Sequence, residues 1–331
     1  MINHDQEKRL IQVLRLLALI SIICAHVAEI PDYSNTINQV FSLALDSIGT
    51  IGVGIFLLIS GYLFSMNKYS LNVFIVKKIR NIIIPWFFLG TIDFLYVALR
   101  KGGLTLANWI LTLTVNSHMY YLTVLILLYI LFWKIKDNIN MIIFMIFLSI
   151  VSISLTSFGY LTINPYINPF NWAIYFTIGL LIRKYQVLSI IVQVCQRFSI
   201  FFLIAYLSIF SFFIFNGISI RYWMKGGIIL ELLAITVNIG IASYLLNTTI
   251  IDQVYSFSDK SYAIYLLHMP FAGIISNIFS RFNSWYLTPF RPLIVLLLTA
   301  LTIFLIQGIG NKIGISKYID LLFGFRKKRI Y

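Results

Sequence analysis

Residues 11–30 read Ile11-Gln12-Val13-Leu14-Arg15-Leu16-Leu17-Ala18-Leu19-Ile20-Ser21-Ile22-Ile23-Cys24-Ala25-His26-Val27-Ala28-Glu29-Ile30. Only Arg15, His26 and Glu29 interrupt this apolar run with charge. Twenty such residues in a helix cover the roughly 30 Å hydrocarbon core of a bilayer. The rest of the chain repeats the pattern. Further spans are expected at about 44–66, 81–99, 119–135, 140–158, 170–184, 198–216, 226–247, 261–280 and 291–311. The apolar stretch 104–115 is too short to cross and reads as an interfacial helix in a loop. The expected fold is therefore all-α: a polytopic integral membrane bundle of about ten transmembrane helices.

Composition agrees. Of 331 residues, 60% are hydrophobic and 11% charged, whereas soluble domains carry about a quarter charged residues. A globule of this size has too little interior for that much apolar surface, which excludes a water-soluble enzyme. The chain holds 25 Lys and Arg against 11 Asp and Glu. With the N-terminus placed in the cytoplasm, only Arg100, Lys101, Arg221, Lys225, Arg281 and Arg291 fall on the far side. Arg15 lies inside the first span and the remaining basic residues face the cytoplasm. This asymmetry follows the positive-inside rule, puts both termini in the cytoplasm, and accounts for the excess charge without nucleic acid. The tail Arg326-Lys327-Lys328-Arg329 is expected against anionic headgroups. No connection reaches the size of a soluble domain, so residues 1–331 read as one membrane domain. No internal repeat is visible. Cys24 and Cys195 show neither a disulfide framework nor metal-ligand spacing, and nor do His4, His26, His118 and His268.

Ionisable groups within spans are costly and by default face the bundle interior or a watery cavity. Besides Arg15 and His26, they are Asp93 in the third span, Glu231 in the eighth and His268 in the ninth. Arg15 and His26 are eleven residues apart, which places them about 20° apart on one helix face and ~16 Å apart along its axis. A permanent cation then sits at the cytoplasmic end, with a base that titrates near neutrality above it. A ligand with a phosphate head and an extended arm, the shape of coenzyme A, reaches both. The plainer alternatives are an Arg15 that snorkels to the headgroups and a His26 that merely packs. Glu29, one turn beyond, either orients the imidazole or reaches the outer interface. Glu231 is the deepest carboxyl and has no partner readable from sequence.

Other segments carry recognisable patterns. Residues Ile51 to Leu63 form an apolar run ending Ser60-Gly61-Tyr62-Leu63. A basic loop Lys77-Lys78-Ile79-Arg80 precedes Ile84-Pro85-Trp86. Ser117-His118-Met119-Tyr120-Tyr121-Leu122 opens the fourth span. Ser261-Tyr262-Ala263-Ile264-Tyr265-Leu266-Leu267-His268 opens the ninth. Together with an Arg, ten intervening residues and a His in the first span, this ordered set resembles the membrane-bound acyltransferase family 3 over roughly residues 9–280. Lys77 stands where that family's Arg-x-x-Arg element has its first Arg.

The resemblance implies an O-acyltransferase of a bacterial inner membrane. It would move an acyl group, usually acetyl, from cytoplasmic acyl-CoA to a hydroxyl of a surface polysaccharide such as O-antigen, lipid-linked or assembled. It implies acetyl-CoA as donor, no metal, and no partner beyond donor, acceptor glycan and bilayer. His26 is then the catalytic base or acyl carrier, with Glu231 as a catalytic carboxyl. Arg15, Lys77 and Arg80 suit the coenzyme phosphates. Ser60, Gly61, His118, Ser261, Tyr262, Tyr265 and His268 become substrate contacts, with helix packing the alternative for the glycine and the tyrosines. The competing reading is a transporter or flippase for a lipid-linked glycan, with Arg15, Asp93 and Glu231 along a polar path.

Overall fold

The computed structural model describes residues 3–28, 36–65, 70–224, 226–246, 248–249, 251–279, 281 and 285–325. Glu29, Lys68, Lys225 and the basic residues at 326–329 lie outside the described residues. Helices account for all the regular structure described. In chain order they are α1 (His4–Val27), α2 (Thr36–Gly49), α3 (Ile51–Ser65), α4 (Leu71–Lys78), a π turn (Ile79–Ile83), α5 (Ile84–Lys101), α6 (Leu106–Thr114), α7 (Tyr120–Ile135), α8 (Ile139–Ser157), α9 (Pro169–Lys184), α10 (Leu188–Arg197), α11 (Ser199–Phe215), α12 (Gly227–Leu245), α13 (Ile251–Ser258), α14 (Ser261–Phe279), a 3₁₀ segment (Trp285–Phe290), α15 (Arg291–Lys312) and α16 (Ser316–Phe323).

Among the described residues seven stretches are long and apolar enough to cross a membrane. They are His4–Val27, Thr36–Ser65, Leu71–Lys101, Ile139–Ser157, Gly227–Leu245, Ser261–Phe279 and Leu287–Lys312. The pair Pro169–Lys184 and Leu188–Arg197, bent by 111°, makes an eighth if counted as one span. Tyr120–Ile135 and Ser199–Phe215 are shorter apolar helices. Each of the ten expected segments is thus helical, but several ends differ. The second span starts at Thr36 rather than near 44 and breaks at Thr50. The third starts at Leu71 and carries the π turn. The sixth stops where Gln186 takes a left-handed backbone (φ 56°). The stretch 104–115 forms only the nine-residue α6, about 14 Å long and too short to cross.

Local chemistry explains the helix starts. Asn3 caps α1 in a reciprocal box: its side chain accepts from the Gln6 amide at 2.8 Å, and Gln6 Oε1 accepts from the Asn3 amide at 3.1 Å. Asn138 caps α8, and Asn168 followed by Pro169 opens α9.

α1 lies at the centre, in contact with α2, α3, α12, α13, α14 and α15. The bilayer-facing helices present large apolar side chains outward, among them Phe144, Phe147, Phe212, Leu297, Leu301 and Leu305. Such exposure is normal only where lipid is the solvent. The closest helix pair is α3 with α9. A Cβ at Gly61 would collide with the Phe176 carbonyl, and one at Gly179 with the Leu58 carbonyl and the Tyr62 amide. With no hydrophobic drive between helices in lipid, this backbone approach supplies the packing. Gly61 is therefore a packing residue and not a wall of the cavity described below.

Candidate active site

Because α1 is unbroken from His4 to Val27, the eleven-residue spacing of Arg15 and His26 is realised on one helix face. Arg15 lines a cavity of about 570 Å³ at the same end of the bundle as Lys77 and Lys78. Its walls come from α1, α3, the α4–π-turn segment, α7 and the start of α14. They include Phe56 and Ser60, Asn81 and Ile82, Tyr121 and Tyr129, and Asp259, Ser261, Tyr262 and Tyr265. Five residues anticipated as ligands besides Arg15 thus gather here: Lys77, Ser60, Ser261, Tyr262 and Tyr265.

Arg80 does not join them. A spacing of three places two side chains on one face only while the helix keeps its α period, and the π turn at Ile79–Ile83 changes that phase. Arg80 is exposed, while Lys78 and Asn81 take the positions facing the cavity. Lys78 is held there: its Nζ donates to the Tyr129 hydroxyl at 2.8 Å and lies 4.1 Å from that ring's centroid. The π turn is itself anchored to α14 by the Tyr262 hydroxyl, which donates to the Ile82 carbonyl at 2.9 Å.

Beyond the cavity's inner end three imidazoles converge. The His26 ring lies 5.2 Å from that of His268 and 5.8 Å from that of His118, and His118 and His268 are 4.9 Å apart, centroid to centroid. They come from α1, the α6–α7 turn and α14. The turn is set by Ser117, whose hydroxyl donates to the Thr112 carbonyl at 2.7 Å and accepts from the Met119 amide at 3.1 Å. His118 and His268 are buried. His268 Nδ1 is 2.7 Å from the Tyr265 carbonyl. A carbonyl only accepts, so Nδ1 carries a proton, and in the neutral ring Nε2 then presents a lone pair. That Nε2 and both ring nitrogens of His118 are buried without a hydrogen-bond partner. Buried polar atoms are normally paired, so three orphans in one cluster leave hydrogen-bonding capacity that a water or a polar ligand would satisfy.

Tyr265 is the wall shared by cavity and imidazoles. It lines the cavity, its hydroxyl donates to the His118 carbonyl at 2.5 Å, and its ring lies 5.3 Å from the His118 ring. With Phe56 and Tyr121 it forms an aromatic collar, the three centroids 5.9–6.1 Å apart.

Glu231 stands elsewhere. It accepts from the Tyr175 hydroxyl at 2.5 Å, in the space left where Gly54 has no Cβ. The phase of α12 thus aims the carboxyl at α3 and α9, and the structure does not join it to the histidines. Asp93 is also buried, with one carboxylate oxygen unpaired. Among the described residues no group of His, Cys, Asp and Glu is arranged to hold a metal ion. Sequence reasoning missed Lys78, Tyr129 and Asp259 as cavity residues. Lys78 was visible only as one more charge in a basic loop.

A polytopic helical membrane protein with a cationic cavity that shares the Tyr265 wall with an imidazole cluster has the parts of a group-transfer enzyme. Residues 9–309 match the acyltransferase domain family model, so the chain belongs to acyltransferase family 3. It is a multi-pass membrane acyltransferase, acting on acyl groups other than aminoacyl groups. Searches of curated proteins and of solved structures return no match. The transporter reading has no comparable observation behind it.

Proposed function

We propose that the protein O-acetylates a bacterial surface glycan in the inner membrane, taking acetyl from cytoplasmic acetyl-CoA. The observation that carries this reading is the shared Tyr265 wall, which joins a cavity walled by Arg15, Lys77 and Lys78 to the His26 cluster. The cations suit the coenzyme phosphates. The pantetheine arm follows the face of α1 past Phe56, Tyr121 and Tyr265 and presents the thioester to the imidazoles. A glycan hydroxyl arrives from the opposite face. His26 takes its proton as the oxygen attacks the thioester carbonyl; the tetrahedral intermediate collapses, the carbon–sulfur bond breaks, and the thiolate leaves with the proton from His26 as coenzyme A. His118 and His268 contact the reacting groups, and Ser60, Ser261 and Tyr262 line the arm's path.

Binding of tritiated acetyl-CoA to detergent-purified protein tests the donor half. Saturable binding displaced by coenzyme A is expected, weakened about 10- to 100-fold by Arg15→Ala, the equivalent of one lost charge-assisted hydrogen bond. Equal binding by wild type and variant contradicts this use of the cavity.

A further inference from the structure

Asp259 puts a carboxylate on the wall of a cavity that also holds Arg15, Lys77 and Lys78. For an anionic ligand that is a poor choice, unless the carboxylate serves something other than the ligand. It sits in the two-residue turn between α13 and α14, fixed by the Lys260 amide donating to the Phe257 carbonyl at 3.0 Å. Its Oδ1 accepts from Gln12 Nε2 at 3.2 Å, and Gln12 Oε1 accepts from Arg15 Nη1 at 3.3 Å. Gln12 is buried, 8% exposed, and lies one turn before Arg15 on α1.

The hydrogen-bonding capacity of each group fixes the direction of this chain. A guanidinium only donates and an ionised carboxylate only accepts, whereas a primary amide does both. The amide between them has one satisfactory orientation, oxygen to Arg15 and nitrogen to Asp259. Placed directly against Arg15, the carboxylate would neutralise the charge that a phosphate needs. With the amide between, Asp259 orients the guanidinium from one residue further away.

We infer that Asp259 is a positioning residue of the donor cavity, holding Arg15 in place through the Gln12 amide. This rests on the acyl-CoA reading of the cavity above. The relay needs an acceptor at position 259 and an acceptor facing Arg15 at position 12; it does not need the negative charge at 259.

The test is steady-state kinetics with acetyl-CoA on the full chain in membranes, together with tritiated acetyl-CoA binding and thermal unfolding in detergent. Asp259→Ala and Gln12→Met are each expected to raise KM for acetyl-CoA about tenfold, with kcat within about twofold. Their combination is expected to be no worse than Gln12→Met alone, since both cut one chain. Asp259→Asn keeps an acceptor and is expected to stay within about threefold of wild type. Gln12→Glu sets two carboxylates face to face and is expected to impair donor binding. Adding Asp259→Asn to Gln12→Glu restores the chain with the two groups exchanged. The amide now at position 259 donates to the carboxylate now at position 12, and that carboxylate accepts from Arg15. This swap is expected to bring KM below that of Gln12→Glu alone without restoring it fully, because a carboxylate then lies directly against Arg15. Asp259→Asn as damaging as Asp259→Ala, a swap no better than Gln12→Glu alone, or a loss confined to kcat each overturns the inference. If Asp259→Ala does not fold, Asp259→Asn and the swap still decide. Wild type that binds no acetyl-CoA contradicts the donor reading itself and the inference with it; wild type that binds while the swap fails contradicts the relay alone.

Discussion

Lys78 and Arg80 are two residues apart in one basic loop, yet only Lys78 faces the cavity. Lys78→Ala is therefore expected to raise KM for acetyl-CoA by about tenfold or more, the scale of a lost charge-assisted contact, while Arg80→Ala changes it less than about threefold. Kinetics of the two variants side by side check this; the reverse order contradicts the assignment. Tyr265→Phe removes the hydrogen bond to the His118 carbonyl, worth about 1 kcal/mol. It is expected to lower kcat severalfold with little change in KM, because it disturbs the imidazoles and leaves the phosphate end intact. The relation of Arg15 to His26 was legible in the sequence because one helix of fixed period joins them. The convergence of His118 and His268 on His26 was not, because three separate elements bring them together. Glu231 was legible as a buried carboxyl, but its partner Tyr175 lies on another helix. The preference for Lys78 over Arg80 was hidden by a π turn that leaves no mark in hydropathy.

At the scale of elements, the α3–α9 contact makes a sharp distinction between glycines. Gly179→Val places side-chain atoms on the Leu58 carbonyl and the Tyr62 amide, and is expected to cost at least the ~1–3 kcal/mol of ordinary overpacking. Gly308, inside α15, has open space where its Cβ would stand. Gly308→Ala is expected to be neutral or to stabilise by about 0.5–1 kcal/mol through helix propensity. Thermal unfolding in detergent separates the two. All ten expected segments are helical, but among the described residues only seven stretches, or eight with the bent α9–α10 pair, have the length that bilayer thickness dictates. Their breaks were not readable in the sequence, because they arise from tertiary contacts and from single backbone conformations, such as that of Gln186 between α9 and α10.

Taken as a whole molecule, the bundle has a cationic cavity towards one end and an imidazole cluster farther along α1, and the account needs those ends on opposite sides of the membrane. The basic-residue asymmetry predicts that a cysteine replacing Asp137 is labelled by an impermeant maleimide only after cells are opened, while one replacing Lys101 is labelled in intact cells. The opposite pattern reverses the direction of transfer. The central claim is that His26 performs acyl transfer from coenzyme A to a surface glycan. Its most direct test is transfer of radiolabelled acetyl from acetyl-CoA into cell-surface polysaccharide, in membranes bearing wild type or His26→Ala. The account predicts base-labile label with wild type and a loss of ~10²–10⁴-fold with the variant at equal protein level; equal label in both contradicts it.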